Sequence, residues 1–409
     1  MAHYQVTVDS ELLHHLFFRE DQGVARLLEQ VLNQVLEAQV TDQLKAAPYE
    51  RTEERQGYRN GHRPRTLTTR VGQIILAIPR TRDGSFSTDL FFRYQRSEQA
   101  LVLALIEMVI NGVATRKVSA VVEELCGVEL SHSTVSDLCK RLDAVVKAWN
   151  GRDLCGQVYP FLLVDALVIR VRVEDRVRMQ SVLIAVGVNR DGYREVLGLM
   201  IGDSESEATW SAFFGWLKDR GLSGVDLVVS DDHRGLVKAI HTHFRGASWQ
   251  RCQTHFIKNI LDACPKALQG ELHSRLRLIF DAPDLETARR LKAEVVQQYA
   301  DRAPKAVERL EEGFEDAMAV MALPAKYRKR LRTTNVLERL NEEIRRRERA
   351  IRIFPNEMSA ERLIGAVLME IDEAWTRGHR YFDMEEYWAW RAEQEAKGEE
   401  GTSDVNHDN

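Results

Sequence analysis

Three carboxylates occupy positions where a chemical role would explain them. Asp165 lies within residues 161–169, a nearly continuous apolar run that is typical of a strand buried on both faces. Asp231 follows a second short apolar run, residues 226–230, and Glu338 falls one turn into an amphipathic helical pattern. A buried carboxylate is costly to desolvate unless it is paired or binds a cation, so these positions favour a cation site.

Taken together, the three acids suit phosphodiester chemistry. In-line displacement at phosphorus develops charge on the attacking and leaving oxygens, and two divalent cations about 4 Å apart can stabilise both. Hard cations such as Mg²⁺ or Mn²⁺ prefer carboxylate oxygens, so we expect two ions held by Asp165, Asp231 and Glu338. Water and then a 3′-hydroxyl can attack, and no side chain needs to become a covalent nucleophile.

Each acid also has a purely structural interpretation. Asp165 could be salt-bridged or lie at a strand edge, and Asp231 could cap a helix or occupy a turn. Asp232 is adjacent and its side chain would point elsewhere, so only one of these two aspartates is expected to share a metal with Asp165. Glu338 alone would be unremarkable, because its helix holds many acids.

Four other side chains are candidates for accessory roles beside the acids: His233, Cys252, His255 and Asn335. Cys252 and His255 have the spacing of half a zinc site, but no second half lies at a usual distance, so we do not expect zinc. His255 could contact the scissile DNA or steady a metal ligand. A buried structural role is an equal alternative.

Positive charge is concentrated in two segments, although the whole chain carries a net charge of −5. Residues 51–85 hold eight arginines against three acids, and residues 326–352 hold eleven Lys or Arg against four acids. A phosphate backbone responds to local potential, so both segments favour DNA binding over the alternative of solvated basic faces. The expected phosphate contacts are Arg59, Arg63, Arg65, Arg328, Arg332, Arg345 and Arg346.

A candidate helix-turn-helix lies within residues 98–147. Its first helix would span residues 115–125, its turn 126–130 and its second helix 131–145. Ser131 or Ser133 can cap the second helix, and Ser133 and Thr134 near its start would meet base edges. An ordinary helical hairpin is the alternative.

The order of the remaining elements predicts how the acids are positioned. Residues 158–251 read as three strands, a helix, a strand, a helix and a strand, the order of a ribonuclease-H-like α/β domain. We expect a helical region at 1–50, a basic arm with a short β-hairpin at 51–95, a helical DNA-binding region at 96–150, a catalytic core at 151–265 and 329–396 interrupted by an all-helical insertion at 266–328, and an acidic disordered tail at 397–409.

The composition of the chain limits the classes of protein to which it could belong. Apolar residues make up 44% and charged residues 29% of the 409 residues, which is ordinary for a soluble protein. No apolar stretch approaches the roughly 20 residues of a membrane helix, and no signal peptide is predicted. Five cysteines without a Cys-x-x-Cys pair favour the reducing cytoplasm, where we expect the protein to associate with the nucleoid through DNA.

These motifs resemble those of the Mutator-type transposases of bacterial insertion sequences, over about residues 58–388. The resemblance implies that Asp165, Asp231 and Glu338 form the catalytic triad of an interrupted ribonuclease-H-like fold, and that Cys252 and His255 form the family's Cys-x-x-His motif. It also implies that the N-terminal part binds terminal inverted repeats. Asp232 departs from the family, which usually has a small residue there. The matching stretches are 57–61, 78–84, 229–231 with His233 and 235–236, 252–255, 334–339 and 354–356.

We therefore predict a DNA transposase that binds double-stranded DNA at the terminal inverted repeats and at the target, and cleaves and transfers strands with divalent metal. Two element ends must be brought together, so a homodimer or higher oligomer is expected. The alternatives are a DNA-binding regulator with an inactive nuclease fold, and a structure-specific nuclease or resolvase that cuts without joining.

Overall fold

The computed structural model describes residues 7–8, 23–88, 90, 99–126 and 129–403, the last six as backbone only. Residues 9–22 of the predicted N-terminal helical region, Gly127 and Val128 in the predicted turn, and the end of the predicted tail lie outside the described residues. The chain divides into two compact units, Met1–Arg141 and Leu142–Asn409. Each is described by itself.

In the first unit a helix packs on a two-stranded antiparallel sheet. Helix α1 (Gly23–Leu44) covers strands β1 (Arg59–Thr69) and β2 (Gly72–Thr81), and the shared core includes Leu36 and Leu76. The strands are longer than the short β-hairpin that the sequence predicts, because the exposed first half of β1 also pairs with β2.

Three short helices complete the first unit. Helices α2 (Gln99–Ile110), α3 (Thr115–Cys126) and α4 (His132–Cys139) share a core that includes Leu105 and Val118. Ser131 is the residue that caps α4, since its side chain accepts a hydrogen bond from the Thr134 backbone N–H.

The sequence predicts that the second helix of the helix-turn-helix spans residues 131–145, and this predicted length is wrong. Helix α4 ends at Cys139, and a separate helix, α5 (Leu142–Asn150), begins in the second unit. Asn150, the last residue of α5, is buried and exchanges two hydrogen bonds with the backbone of Leu199. These contacts explain why α5 packs in the second unit as a separate helix. The predicted DNA-binding region 96–150 therefore divides within its last part.

A five-stranded mixed sheet forms the centre of the second unit. Its order is β5-β4-β3-β6-β7, with β3, β4 and β5 antiparallel and with β6 and β7 parallel to β3. The strands are β3 (Phe161–Val173), β4 (Arg176–Val188), β5 (Arg194–Gly202), β6 (Leu227–Ser230) and β7 (Ser248–Arg251).

Helices α6 (Glu207–Asp219) and α7 (Arg234–His243) pack against this sheet. Their apolar faces bury an aromatic cluster that includes Trp210 and Phe214 against Val164 and Val228 of the strands. Helix α8 (Gln253–Asp262) follows β7 directly.

A helical segment follows α8. It contains α9 (Lys266–Phe280), α10 (Leu285–Tyr299), α11 (Pro304–Met318), a 3₁₀ turn (Ala319–Ala322) and α12 (Ala325–Leu331). Its core continues that of α8 through Phe256 and Ile260. The buried side chains of Gln250 and Gln253 both donate to the carbonyl of Ala317, at 2.8 Å each, which ties the end of α11 to β7 and α8.

The chain then returns to the sheet through α13 (Asn335–Ile351), α14 (Glu357–Arg377) and α15 (Glu385–Ser403). Phe354 pairs with the projecting end of β3, where it exchanges backbone hydrogen bonds with Arg170 and Arg172. Helix α15 continues through Ser403, past Lys397, where the sequence predicts a disordered tail. Residues 385–397 are rich in Glu, Ala, Gln and Lys, which are good helix formers, and the helix that they form continues into residues 398–403. Among the described residues no helix is both long and apolar enough to cross a bilayer.

Asp372 on α14 ties three elements of the second unit together. Its carboxylate accepts hydrogen bonds from the Val196 backbone N–H at 2.7 Å and from the Trp149 indole at 3.0 Å, and it lies 3.4 Å from the Arg152 guanidinium. Asp372 is only 8% exposed and Val196 is fully buried, so the Val196 N–H has no ready access to water.

We expect Asp372→Ala to destabilise the second unit by about 2–4 kcal/mol, because it leaves buried donors without an acceptor. Glu373→Ala is the matched control: this neighbour is exposed and pairs only with Arg377 one turn away, so its removal should cost less than about 0.5 kcal/mol. Thermal and urea unfolding measure both. Equal shifts for the two variants would contradict the assigned role.

Candidate active site

Asp165 and Asp231 lie side by side at one edge of the central sheet. Strands β3 and β6 are parallel neighbours, and Leu163 is in register with Val229. Asp165 lies two residues beyond Leu163 on β3, and Asp231 lies two residues beyond Val229, just past the end of β6. Since neighbouring strands are about 4.8 Å apart, the two carboxylates are adjacent.

Helix α13 brings Glu338 to the same edge. The side-chain amide of Asn341 donates to the Asp165 carboxylate at 2.8 Å. Glu338 is three residues before Asn341, so both lie on one face of the helix. His255 also joins these groups, because its Nε2 atom lies 3.7 Å from the Glu338 carboxylate. The three acids predicted from the sequence therefore come together.

The electrostatics of Asp165 reflect this crowding. Burial, followed by the negative charge of Asp231, raises the pKa of Asp165 to about 7. The Ala166 backbone N–H, 2.9 Å from the carboxylate, and the nearby His255 oppose this shift in pKa.

The two adjacent aspartates have different surroundings. Asp232 is exposed and forms an ion pair of 2.8 Å with Arg251. In contrast, the Oδ1 atom of Asp231 is buried and accepts no hydrogen bond from any described residue. Of the two adjacent aspartates, Asp231 is therefore the one whose charge acts on Asp165.

A fourth carboxylate, Glu205, was missed by sequence reasoning. It lies in the turn between β5 and α6, 3.4 Å from His233, and accepts a hydrogen bond from the Trp210 indole at 3.2 Å. Burial raises the pKa of Glu205, His233 opposes the rise, and the charge of Asp231 adds to it, so Glu205 lies within electrostatic reach of the site.

The close approach of this turn depends on a glycine. A Cβ atom at Gly235 would lie 2.6 Å from the backbone nitrogen of Glu207, so only glycine allows the start of α7 to pack against the turn.

The sequence did contain a signal for Glu205, because this residue follows a strand and precedes a helix, as Asp231 does. What the sequence lacked was the sheet order, in which β5 runs in the same direction as β3 and β6.

Cys252 and His255 lie beside Glu338. One donor atom from each of the three residues falls within 4.8 Å of the other two. Burial would raise the pKa of the Cys252 thiol, but its interactions with His255 and Thr334 outweigh burial and lower it. The Cys252 thiol raises the pKa of His255 to about 9 against the effect of burial, and the charges of Glu338 and Asp165 contribute. Asn335, the other predicted accessory residue, is exposed and lies 3.5 Å from the Thr254 hydroxyl.

The predicted phosphate-binding arginines of the second unit have partners within the fold. Arg328 donates to the carbonyls of Leu323 and Pro283, and Arg332 donates to the carbonyl of Phe280 and to Asp281. Along α13 each of the other two arginines pairs with a glutamate three residues away: Arg345 with Glu348, and Arg346 with Glu343.

The predicted DNA contacts of the first unit are placed less uniformly. Arg59 donates to the Thr41 hydroxyl and the Ala46 carbonyl, whereas the side chain of Arg63 is exposed. Arg65 is half-buried, and burial together with the charge of Arg63 lowers its pKa. The remaining two contacts, the Ser133 and Thr134 hydroxyls, both lie within hydrogen-bond distance of Ser131 at the start of α4.

Known proteins match this chain over most of its length. The family model described as "Transposase, Mutator family" matches residues 1–378. The transposase for insertion sequence element IS256 in transposon Tn4001 of Staphylococcus aureus is 46% identical over 386 residues, covering 93% of this chain and 99% of the relative. The transposase for insertion sequence element ISRM5 of Rhizobium meliloti (strain 1021) is 44% identical, covering 92% and 94% respectively.

A solved structure, the HTLV-2 integrase catalytic core domain in complex with magnesium, also matches. It is 15% identical, covers 36% of this chain and 87% of that chain, and has a TM-score of 0.16, too low to support an argument.

The sheet edge with its acids and the length of these matches define a DNA-rearranging protein of mobile elements. The chain belongs to the Mutator family of transposases. The sequence-based prediction of family and general function is therefore confirmed.

The raised pKa of Asp165 has a consequence for stability. Its ordinary value is 3.8 and its value in the folded protein is about 7, so ionisation of Asp165 destabilises the metal-free fold progressively between those pH values. We expect Asp165→Asn to stabilise the protein in EDTA by about 2 kcal/mol at pH 8, with a smaller gain at pH 5.

The control is Asp232→Asn, which breaks the ion pair with Arg251 and should produce no gain at pH 8. Thermal unfolding across this pH range measures both variants. A gain for Asp165→Asn that is independent of pH would be inconsistent with the assigned titration.

Proposed function

We propose that this transposase cleaves and transfers DNA strands with Asp165, Asp231 and Glu338 as its catalytic carboxylates. The observation that carries the proposal is the buried, unpartnered Oδ1 atom of Asp231, which faces Asp165 on the neighbouring strand. Such an atom needs a partner, because a buried acceptor without one is costly. A cation held between the two aspartates satisfies this requirement.

The donor chemistry of the site fits divalent metal. The three acids offer only carboxylate oxygens, the ligands preferred by Mg²⁺ and Mn²⁺. We propose that two ions are bound there, supplying charge stabilisation for the attacking and leaving oxygens when present. Asn341 would orient Asp165 through its 2.8 Å hydrogen bond, and His255, beside Glu338, is positioned to donate to a phosphate oxygen.

The strand order supports a ribonuclease-H-like assignment for the catalytic core. Three antiparallel strands are followed by two strands parallel to the first, and the acids lie where the central parallel strands meet. We assign the core to residues 151–265 and 329–396 and the insertion to residues 266–328. The packing of α5 on the sheet adds residues 142–150 to this core.

The first unit is proposed to bind the terminal inverted repeats. Its hairpin presents Arg63 on the exposed half of β1, and its helices α3 and α4 correspond to the predicted helix-turn-helix. The arginines of the second unit contribute less to this proposal, since Arg328 and Arg332 each donate to backbone carbonyls of the fold. Joining two element ends to a target requires at least two copies of the chain.

The adjacent aspartates provide a sharp test of the catalytic assignment. The substrate is a labelled duplex that carries the terminal repeat of the chain's own insertion sequence, with Mg²⁺ or Mn²⁺ or with EDTA. We expect Asp231→Asn and Glu338→Gln to reduce cleavage and joining by at least about a thousandfold, because each removes a metal ligand. Asp232→Asn should retain activity within about tenfold, because it loses only an ion pair.

The same assay separates the alternative functions. Parent protein that cuts without joining would be a nuclease or resolvase, and parent protein that binds the repeat but gives no metal-dependent product would be a regulator. An inactive Asp232→Asn variant beside an active Asp231→Asn variant would exchange the roles of the two aspartates.

A second test concerns the hairpin. We expect Arg63→Ala to weaken binding to the terminal repeat and to unrelated duplex by similar factors, and to reduce the slope of log K against log salt by about 1. Arg290→Ala is the control, since Arg290 is also exposed and pairs with Glu294 on α10. An unchanged salt slope for Arg63→Ala would remove this residue from the DNA interface.

A further inference from the structure

The Cys252 thiol is engaged by the residue that precedes the Glu338 helix. Cys252 is fully buried between β7 and α8, and Thr334 is 1% exposed. The sulfur accepts two hydrogen bonds from Thr334, one from the backbone N–H at 3.4 Å and one from the hydroxyl at 3.3 Å. Both donors of one residue therefore converge on one sulfur atom.

This contact belongs to a continuous path between two catalytic elements. The backbone N–H of Cys252 donates to the carbonyl of Ser230, the residue before Asp231, at 2.7 Å. Thr334 in turn accepts a hydrogen bond of 3.0 Å from the N–H of Glu338 in the first turn of α13. The path thus runs from the strand end that carries Asp231, through the thiol, to the helix that carries Glu338.

The hydroxyl of Thr334 does not cap the helix that begins after it. A threonine at a helix N-cap normally accepts a hydrogen bond from its own helix, which contributes about 1 kcal/mol. Thr334 makes no such cap and has a backbone that is not extended (φ −89°, ψ 20°). Its hydroxyl donates to Cys252 instead, so the start of α13 is held by a contact distant in sequence rather than by its own cap.

A neighbouring backbone contact supports the same junction. The N–H of Gln253 donates to the carbonyl of Arg332 at 2.9 Å, and the Gln253 side chain is anchored on Ala317. The chain that returns from the helical segment is therefore fixed at two successive points. Of these two, the Cys252 contact is the one that reaches Thr334, the N-cap residue of α13.

We infer that Cys252 is a positioning residue, whose sulfur fixes the start of α13 through Thr334 and so places Glu338 against Asp165 and Asp231. The inference deepens the proposed function, on which it rests. It gives the cysteine of the Cys-x-x-His motif a role without direct contact with DNA or metal. Sulfur suits this role because it is large enough to accept both donors of Thr334, at 3.4 and 3.3 Å.

The test combines metal binding with a double-mutant cycle. Mn²⁺ alone is titrated into the full-length protein and followed by electron paramagnetic resonance. We expect Cys252→Ala and Thr334→Val each to weaken Mn²⁺ binding and to slow strand cleavage by about tenfold, the loss usual when a group that orients a metal ligand is removed. The double variant should lose no more than Cys252→Ala alone.

Conservative variants and a control separate positioning from packing. Thr334→Ser keeps the hydroxyl and should restore Mn²⁺ binding close to the parent level, and Cys252→Ser should restore part of it. Cys264→Ala removes another buried thiol, in the helical segment. It should lower the unfolding temperature but leave Mn²⁺ affinity unchanged.

Three outcomes would overturn the inference. These are additive losses in the double variant, parent-level Mn²⁺ binding by Thr334→Val, and equal loss of Mn²⁺ binding in Cys264→Ala. Failure of the proposed function is distinguishable, because parent protein would then neither bind Mn²⁺ nor cleave. In that case the positioning role falls as well.

Discussion

The carboxylates of Asp165 and Asp231 lie close together in a half-buried site and repel one another. The packing of the second unit holds them in place against this repulsion. Burial, followed by the negative charge of Asp231, raises the pKa of Asp165 to about 7. Rigid elements supply the restraint: the register of β3 and β6 fixes the two aspartates, and the Asn341 amide holds Asp165 from the opposing helix. Sites of this kind favour cation binding over local stability, since the cation relieves a repulsion that the fold alone retains.

Helix α13 is restrained at both of its ends, which explains how an acid far along the chain is placed accurately. At its start, Thr334 contacts the buried Cys252. At its end, Arg352 adopts a positive φ of 65°, and Phe354 then pairs with β3 beyond Asp165. A left-handed conformation is unfavourable for arginine, and the pairing that follows compensates for it.

Local patterns in the sequence predicted what depends on local physics. The apolar run around Asp165 predicted a central strand, and the amphipathic pattern around Glu338 predicted its helix. The choice between Asp231 and Asp232 required Arg251, whose ion pair with Asp232 depends on the fold around β7. Glu205 was missed because its proximity to the site follows from sheet order. The same limitation affected Arg328 and Arg332, whose partners are carbonyls that only tertiary structure brings near.

The order of the acids along the chain has a consequence for synthesis. Every strand of the central sheet and both aspartates are complete by residue 251, whereas Glu338 is added only after the whole helical segment. The ribosome therefore synthesises the first unit and the strands of the sheet well before it adds Glu338. Nascent or prematurely ended chains contain the unit proposed to bind repeats but lack a complete set of acids. In each round of translation, the unit proposed to bind DNA is therefore complete before the set of acids proposed to cut it.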